Sequence, residues 1–135
     1  MALDFGERRI GVAITDPTGT LAQPLETLTA GRGESPLKRI AHLVAEYEVK
    51  QIVVGLPLLL DGTSGTQAQR ARRFGEDVAR LTGTSVEFLD ERLTSVEAER
   101  VLREAGVPAK KQKGRVDPVA AALVLRTWLD RGSVR

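Results

Sequence analysis

The sequence predicts an α/β fold in which a mixed five-stranded sheet is flanked by helices. Short apolar segments separated by turn residues fill the first 28 positions, and from residue 35 onward apolar residues recur with the helical period of 3.6. The chain has 135 residues, of which 41% are hydrophobic, so we expect one globular domain over residues 1–135. No apolar run approaches the roughly 20 residues that span a bilayer, and no secretory leader is visible.

The first three strands are expected at residues 1–5, 10–15 and 21–28, joined by turns at 6–9 and 16–19. Connections this short join neighbouring antiparallel strands. Pro24 weakens the interior of the third strand, because proline cannot donate to a sheet ladder. An antiparallel meander therefore opens the predicted domain.

Helices and strands alternate after residue 35. Ser35 and Pro36 have the pattern of an N-cap followed by proline in the first helical turn, and Thr94 with Glu97 fits a capping box. Helical crossovers between the later strands predict parallel pairing. The expected elements are a helix to residue 47, a strand at 51–56, a helix over 68–81, a strand at 85–89, a helix to residue 105 and a last helix from Asp117–Pro118.

Composition limits the chemistry that the chain can perform. It has no cysteine and one histidine, His42, which excludes disulfides, thiolate zinc sites, cysteine nucleophiles and histidine clusters. Any bound metal would be a hard cation held by carboxylates, such as Mg²⁺ or Mn²⁺.

Positive charge is concentrated in the second half of the chain. The net charge is +2, but residues 68–135 carry 14 Lys and Arg against 10 acids. The densest stretch has no acid between Glu104 and Asp117, and a stretch of this kind suits a polyanion such as nucleic acid, although charge alone favours a solvated loop. The candidate binding residues are Lys110, Lys111, Lys113 and Arg115, with Arg70, Arg72 and Arg73 as a second, weaker surface.

Acidic residues on three elements are the candidate catalytic groups. Asp4 interrupts an apolar strand, Asp90 and Glu91 follow directly after another strand, and Asp117 precedes the last helix. Each has a structural alternative: Asp4 could cap the following turn, the Asp90–Glu91 pair could be a polar strand exit, and Asp117 fits a helix N-cap. Taken together, converging carboxylates can hold two cations about 4 Å apart, a spacing that suits phosphodiester hydrolysis.

Four linked motifs resemble the YqgF (RuvX) family over essentially the whole chain. They are Asp4-Phe5-Gly6 with Ile10-Gly11-Val12-Ala13, Val54-Gly55-Leu56-Pro57 with Asp61-Gly62-Thr63, Asp90-Glu91-Arg92-Leu93-Thr94, and Lys113-Gly114-Arg115-Val116-Asp117. The resemblance implies a ribonuclease-H-like fold related to the RuvC resolvases, and a metal-dependent nuclease. It assigns Asp4, Glu91 and Asp117 as metal ligands, with Asp90 as the alternative to Glu91, since a strand presents only one of two neighbours to a given face. Gly55, Pro57 and Asp61–Gly62 are expected near the site without an assigned chemical role.

The resemblance implies two competing functions with the same chemistry, in which activated water attacks phosphorus and leaves a 3′ hydroxyl. One is processing of the precursor of 16S ribosomal RNA in the bacterial cytoplasm, with structured RNA or ribosomal precursor particles as partners. The other is resolution of four-way DNA junctions, which requires a homodimer because its two cuts are related by a two-fold axis.

Two further hypotheses have different origins. Actin-like and sugar-kinase folds also open with an aspartate–glycine hairpin, but they need a second lobe that 135 residues cannot supply. A non-catalytic RNA- or ribosome-binding module would carry the same basic residues without using the acids.

Overall fold

The computed structural model describes residues 1–31, 33–57, 65–94, 96–106 and 118–133. The first elements are three strands, β1 (Ala2–Phe5), β2 (Arg9–Thr15) and β3 (Ala22–Thr29), followed by helix α1 (Pro36–Glu46). The remaining elements are β4 (Gln51–Leu56), α2 (Thr66–Thr82), β5 (Ser85–Asp90), a 3₁₀ turn (Glu91–Leu93), α3 (Val96–Glu104) and α4 (Pro118–Ser133).

The five strands form one mixed sheet in the order β3-β2-β1-β4-β5. β1 pairs antiparallel with β2, and β2 pairs antiparallel with β3, so the predicted meander is present. β4 pairs parallel with β1 and with β5. The fold class and element order expected from the sequence are therefore confirmed.

Pro24 is tolerated because β3 lies at the edge of the sheet. It faces Ala13 of β2, next to a register shift between Val12 and Ala13. A missing amide donor costs least at an edge or a bulge, and this position has both. The edge position of β3 therefore explains how a strand can form here although it contains Pro24.

The helix boundaries follow local signals, with one difference. Ser35 caps α1 as predicted, since its hydroxyl accepts from the amide of Lys38. The predicted capping box at Thr94 is wrong: the Thr94 hydroxyl donates to the carbonyl of Glu91, which closes the 3₁₀ turn, and α3 begins only at Val96. Within the described residues, no helix is both long and apolar enough to cross a membrane.

The sheet separates two cores, which we call the aliphatic face and the alanine-rich face. α1 and α2 cover the aliphatic face, whose buried members are mostly large: Met1, Leu3, Ile10, Val12, Leu28, Ile40, Leu43, Ile52, Val54, Leu56, Ala71, Phe74 and Val78. α3 and α4 cover the alanine-rich face, whose buried members are Ala2, Ala13, Ala22, Val53, Leu89, Ala98, Leu102, Ala121, Ala122, Leu123, Val124 and Leu125. Small residues on both sides let α4 lie close to the strands.

Candidate active site

Asp4 lies near the end of β1, and its side chain points to the alanine-rich face. Side chains alternate along a strand, and Ala2, two positions earlier, belongs to that core. The turn after β1 is closed by the amide of Gly6, which donates to the carbonyl of Arg9, so Asp4 does not cap it. The structural alternative for Asp4 is therefore not supported.

Glycines flank Asp4 on both neighbouring strands. Gly11 of β2 and Gly55 of β4 are its register partners. Neither presents a side chain beside the carboxylate of Asp4, on a sheet whose strands are about 4.8 Å apart. The two neighbouring strands therefore contribute no side chain on either side of Asp4.

The carboxylate of Glu91 occupies the space above Gly55. A Cβ placed on Gly55 would lie 2.5 Å from Glu91 Oε1 and 3.0 Å from Glu91 Cγ. Since Gly55 is the register partner of Asp4, the carboxylate of Glu91 lies over the strand next to Asp4. Two of the three predicted ligands are thus brought together from separate elements.

Asp4 and Glu91 line the same cavity, which has a volume of about 340 Å³. It lies at the carboxyl ends of the parallel strands β1, β4 and β5, a common position for ligand sites in α/β folds. α4 forms one wall. The other lining residues are Pro57, Arg92, Thr94, Ala120, Leu123 and Val124.

Asp90 is bound to Arg92 and does not line this cavity. Its Oδ1 accepts from the backbone amide of Arg92 at 2.9 Å, and its Oδ2 accepts from Nη2 of the same residue at 2.6 Å. The Arg92 side chain, followed by its backbone amide, holds the pKa of Asp90 below its ordinary value. The two neighbouring acids therefore have different surroundings: Asp90 starts the 3₁₀ turn, and Glu91 faces Asp4.

The third predicted ligand, Asp117, lies outside the described residues. The next residue in the chain, Pro118, begins α4, and Ala120 already lines the cavity. In the described ranges, no group of three or more Asp, Glu, His or Cys side chains could hold a metal ion. Asp4 and Glu91 are the two predicted ligands that the described ranges bring together, and carboxylate oxygens are the donors that Mg²⁺ and Mn²⁺ prefer.

The predicted basic residues fall into two groups. Lys110, Lys111, Lys113 and Arg115 lie outside the described residues, as do Asp61 and Gly62. The other three are exposed on α2, which covers the aliphatic face, so they are not brought into the cavity. Arg70 pairs with Glu7 at 3.1 Å, Arg72 lies 5.1 Å from the ring centre of Phe88, and Arg73 is exposed.

The sequence predicts Gly55 and Pro57 near the site but no chemical role for them. Pro57 is a wall of the cavity, and Gly55 is the surface against which Glu91 lies. One sequence signal points to this contact: Gly55 interrupts a strand of apolar and β-branched residues, and a glycine in such a strand often marks the close approach of another group.

Solved structures with the same fold include structures of RuvC. The chain is similar to a structure described as "T. thermophilus RuvC in complex with Holliday junction substrate", with a TM-score of 0.67, 13% identity, and coverage of 98% of this chain and 92% of that chain. It is also similar to "Thermus thermophilus RuvC structure", with a TM-score of 0.57, 16% identity, and coverage of 96% and 94%. These likenesses establish the ribonuclease-H-like fold.

Sequence comparison then identifies the family. Residues 1–131 match the family described as "RuvX: Holliday junction resolvase". Relatives named "Putative pre-16S rRNA nuclease" are 45% identical in Roseiflexus sp. (strain RS-1) and 47% identical in Anaeromyxobacter sp. (strain Fw109-5), each over 96% of this chain and over 92% and 95% of the relative. A third, from Chloroflexus aggregans, is 48% identical over 96% of this chain and 92% of its own length. The chain belongs to the RuvX family.

Membership in this family confirms the resemblance that the four motifs indicated, and it confirms a hydrolytic nuclease.

Proposed function

We propose that this protein is a metal-dependent endonuclease in which Asp4, Glu91 and Asp117 hold Mg²⁺ or Mn²⁺. The observation that carries the proposal is the position of the Glu91 carboxylate, which fills the space above Gly55 beside Asp4, in a cavity at the carboxyl ends of the parallel strands. Two carboxylates held side by side repel each other, and a divalent cation offsets that repulsion.

The residues present fit a hard divalent cation. Within the described ranges, no side chain or backbone amide donates a hydrogen bond to the carboxylate of Asp4, so its oxygens are available to a cation. Gly11, on the other side of Asp4, presents no side chain and leaves room for it. When bound, such a cation would polarise the phosphodiester and lower the pKa of water. Asp4 and Glu91 would orient it, while the apolar wall of α4 would limit access of bulk water to the cavity.

Asp90 has a separate proposed role. Because its carboxylate is bound to Arg92, we assign it to holding the 3₁₀ turn rather than to the metal. This assignment chooses between the two neighbouring acids that the sequence motif left open.

The proposed substrate is the precursor of 16S ribosomal RNA, free or in a ribosomal precursor particle in the cytoplasm. Its support is the name carried by relatives that are 45–48% identical over nearly the whole chain. The second candidate is a four-way DNA junction, which the family description and the RuvC complex favour. The second candidate also requires a homodimer with a two-fold axis.

The basic residues are proposed to bind the nucleic-acid backbone. Lys110, Lys111, Lys113 and Arg115 precede Asp117 within seven positions in the chain, so a backbone bound by them would approach the site through the same segment. Arg70, Arg72 and Arg73 are the second candidate surface, and Arg70 reaches the turn that follows Asp4 through its pair with Glu7.

Cleavage assays on two substrates test the proposal. One substrate is an RNA that carries the leader of the 16S precursor, and the other is a synthetic four-way DNA junction, each with Mg²⁺, Mn²⁺ or EDTA. We expect metal-dependent cutting, and a loss of roughly a thousandfold in Asp4→Asn, because a catalytic cation supplies several kcal/mol of transition-state stabilisation.

The matched control for Asp4→Asn is Asp77→Asn, the same change on α2 at the other face, which should cut normally. The better substrate distinguishes the two candidate functions. Binding of both substrates without metal-dependent cutting would contradict the nuclease and favour a binding module.

A further inference from the structure

Gly55 is a glycine for reasons of space. A Cβ at this position would meet Oε1, Cγ and Cδ of Glu91 at 2.5, 3.0 and 3.1 Å. Its backbone is that of an ordinary β-strand, since it is not among the described glycines with positive φ. Any residue could therefore adopt the backbone conformation, and only the missing side chain distinguishes glycine here.

The space that Gly55 leaves is at a defined place in the sheet. Gly55 is the register partner of Asp4 in β1 and of Leu89 in β5. A carboxylate lying on Gly55 is therefore next to Asp4, at the distance of one strand. A methyl group at position 55 would fill the volume that the carboxylate of Glu91 uses.

The backbone of Glu91 is held on both sides, so a clash at position 55 is relieved by movement of the Glu91 side chain and not by movement of the turn. Asp90 accepts from the amide of Arg92, and the hydroxyl of Thr94 donates to the carbonyl of Glu91 at 2.7 Å. Because the turn is held by these bonds, a group added at position 55 must displace the carboxylate itself.

We propose that Gly55 is a positioning residue that sets the carboxylate of Glu91 beside Asp4 for binding a divalent cation. Gly55 touches neither the cation nor the substrate, and it acts through Glu91. This inference rests on the proposed function, because it uses the cation that Asp4 and Glu91 are proposed to hold.

The test is a double-mutant cycle read by Mn²⁺ binding, with the metal ion alone as the probe. Gly55→Ala should weaken Mn²⁺ binding about tenfold or more, the scale seen when a group that orients a metal ligand is removed. In a Glu91→Asp background, Gly55→Ala should reduce the Mn²⁺ affinity much less, because the shorter Asp side chain does not reach the added methyl group. An equal loss of Mn²⁺ affinity in both backgrounds, or no loss in either, would overturn the inference.

Unfolding measured in EDTA completes the experiment. If Gly55 and Glu91 meet as described, Gly55→Ala should destabilise the protein when residue 91 is Glu and destabilise it less when residue 91 is Ala. Failure of the wild-type protein to bind Mn²⁺ would count against the proposed function. Mn²⁺ binding by the wild type, with no coupling between positions 55 and 91, would count against this inference alone.

Discussion

The two faces of the sheet are packed differently, and only one of them carries the candidate site. On the aliphatic face, large side chains such as Leu3 and Val54 fill the space under α1 and α2. On the alanine-rich face, small residues bring α4 close, and at the end of β1 and β4 they give way to Gly11, Gly55 and the carboxylate of Asp4. The same strands therefore provide stability on one side and a polar cavity on the other.

This contrast indicates where substitutions affect folding and where they affect chemistry. Large apolar side chains contribute most of the free energy of folding, through burial and close packing. Paired carboxylates in a cavity contribute little to stability or lower it, since like charges repel. Changes on the two faces should therefore be separable in measurements of unfolding and of metal binding.

The largest stability effect is expected from Leu43→Ala, on α1 under the aliphatic face. Leu43 is 1% exposed, and truncating a buried leucine costs about 2–5 kcal/mol through reduced burial and the remaining cavity. Chemical denaturation measures this effect. Mn²⁺ affinity of the folded variant should stay within about twofold of the wild type, because distant sites act independently. A large loss of Mn²⁺ affinity in folded Leu43→Ala would show that the faces are coupled.

A smaller effect is expected from the opposite change on the other face. Ala122 on α4 is fully buried, and Ala122→Leu adds three carbons where helix and strands are close, which costs about 1–3 kcal/mol. The same denaturation experiment measures it. Unchanged stability would show that α4 is not packed closely against the alanine-rich face of the sheet.

The smallest expected effect is on the strength and salt dependence of nucleic-acid binding. Replacing Lys110, Lys111 and Lys113 together by Gln should weaken binding and flatten its salt dependence, because fewer phosphates are neutralised. On duplex DNA the log–log slope should change by roughly 0.9 for each phosphate that the variant no longer neutralises. Titrations at several salt concentrations give the slope. Gln substitution of Lys38 and Lys50, two lysines elsewhere in the chain, is the control. An unchanged slope would show that the segment is a solvated connection.

Much of the fold could be predicted from the sequence because local signals agree with the final structure. Ser35–Pro36 begins α1 as its capping pattern indicates, and β4 and β5 have the bounds expected from their apolar runs to within one residue. The capping box predicted at Thr94 is wrong, because the same Thr and Glu spacing also occurs where the Thr closes a preceding 3₁₀ turn. Its hydroxyl acts as a donor there, which a sequence pattern does not reveal.

The candidate site could be predicted only in part. Asp4 can be predicted because it is a carboxylate in an apolar strand. The different roles of Asp90 and Glu91 cannot, because they depend on the 3₁₀ turn and on the ion pair between Arg92 and Asp90. The contact between Glu91 and Gly55 joins residues 36 positions apart, so it depends on the parallel pairing of β4 with β5 rather than on any local motif.

Calorimetric titration of Mn²⁺ into the wild type, Glu91→Gln and Asp90→Asn shows directly whether Glu91 or Asp90 holds the metal. The two substitutions remove one negative charge each from neighbouring positions, so they control for each other. We expect Glu91→Gln to lose about tenfold or more in Mn²⁺ affinity and Asp90→Asn to lose far less, since Asn still accepts from the amide of Arg92. Equal losses, or a larger loss in Asp90→Asn, would contradict the assignment of Glu91, with Asp4, to the metal.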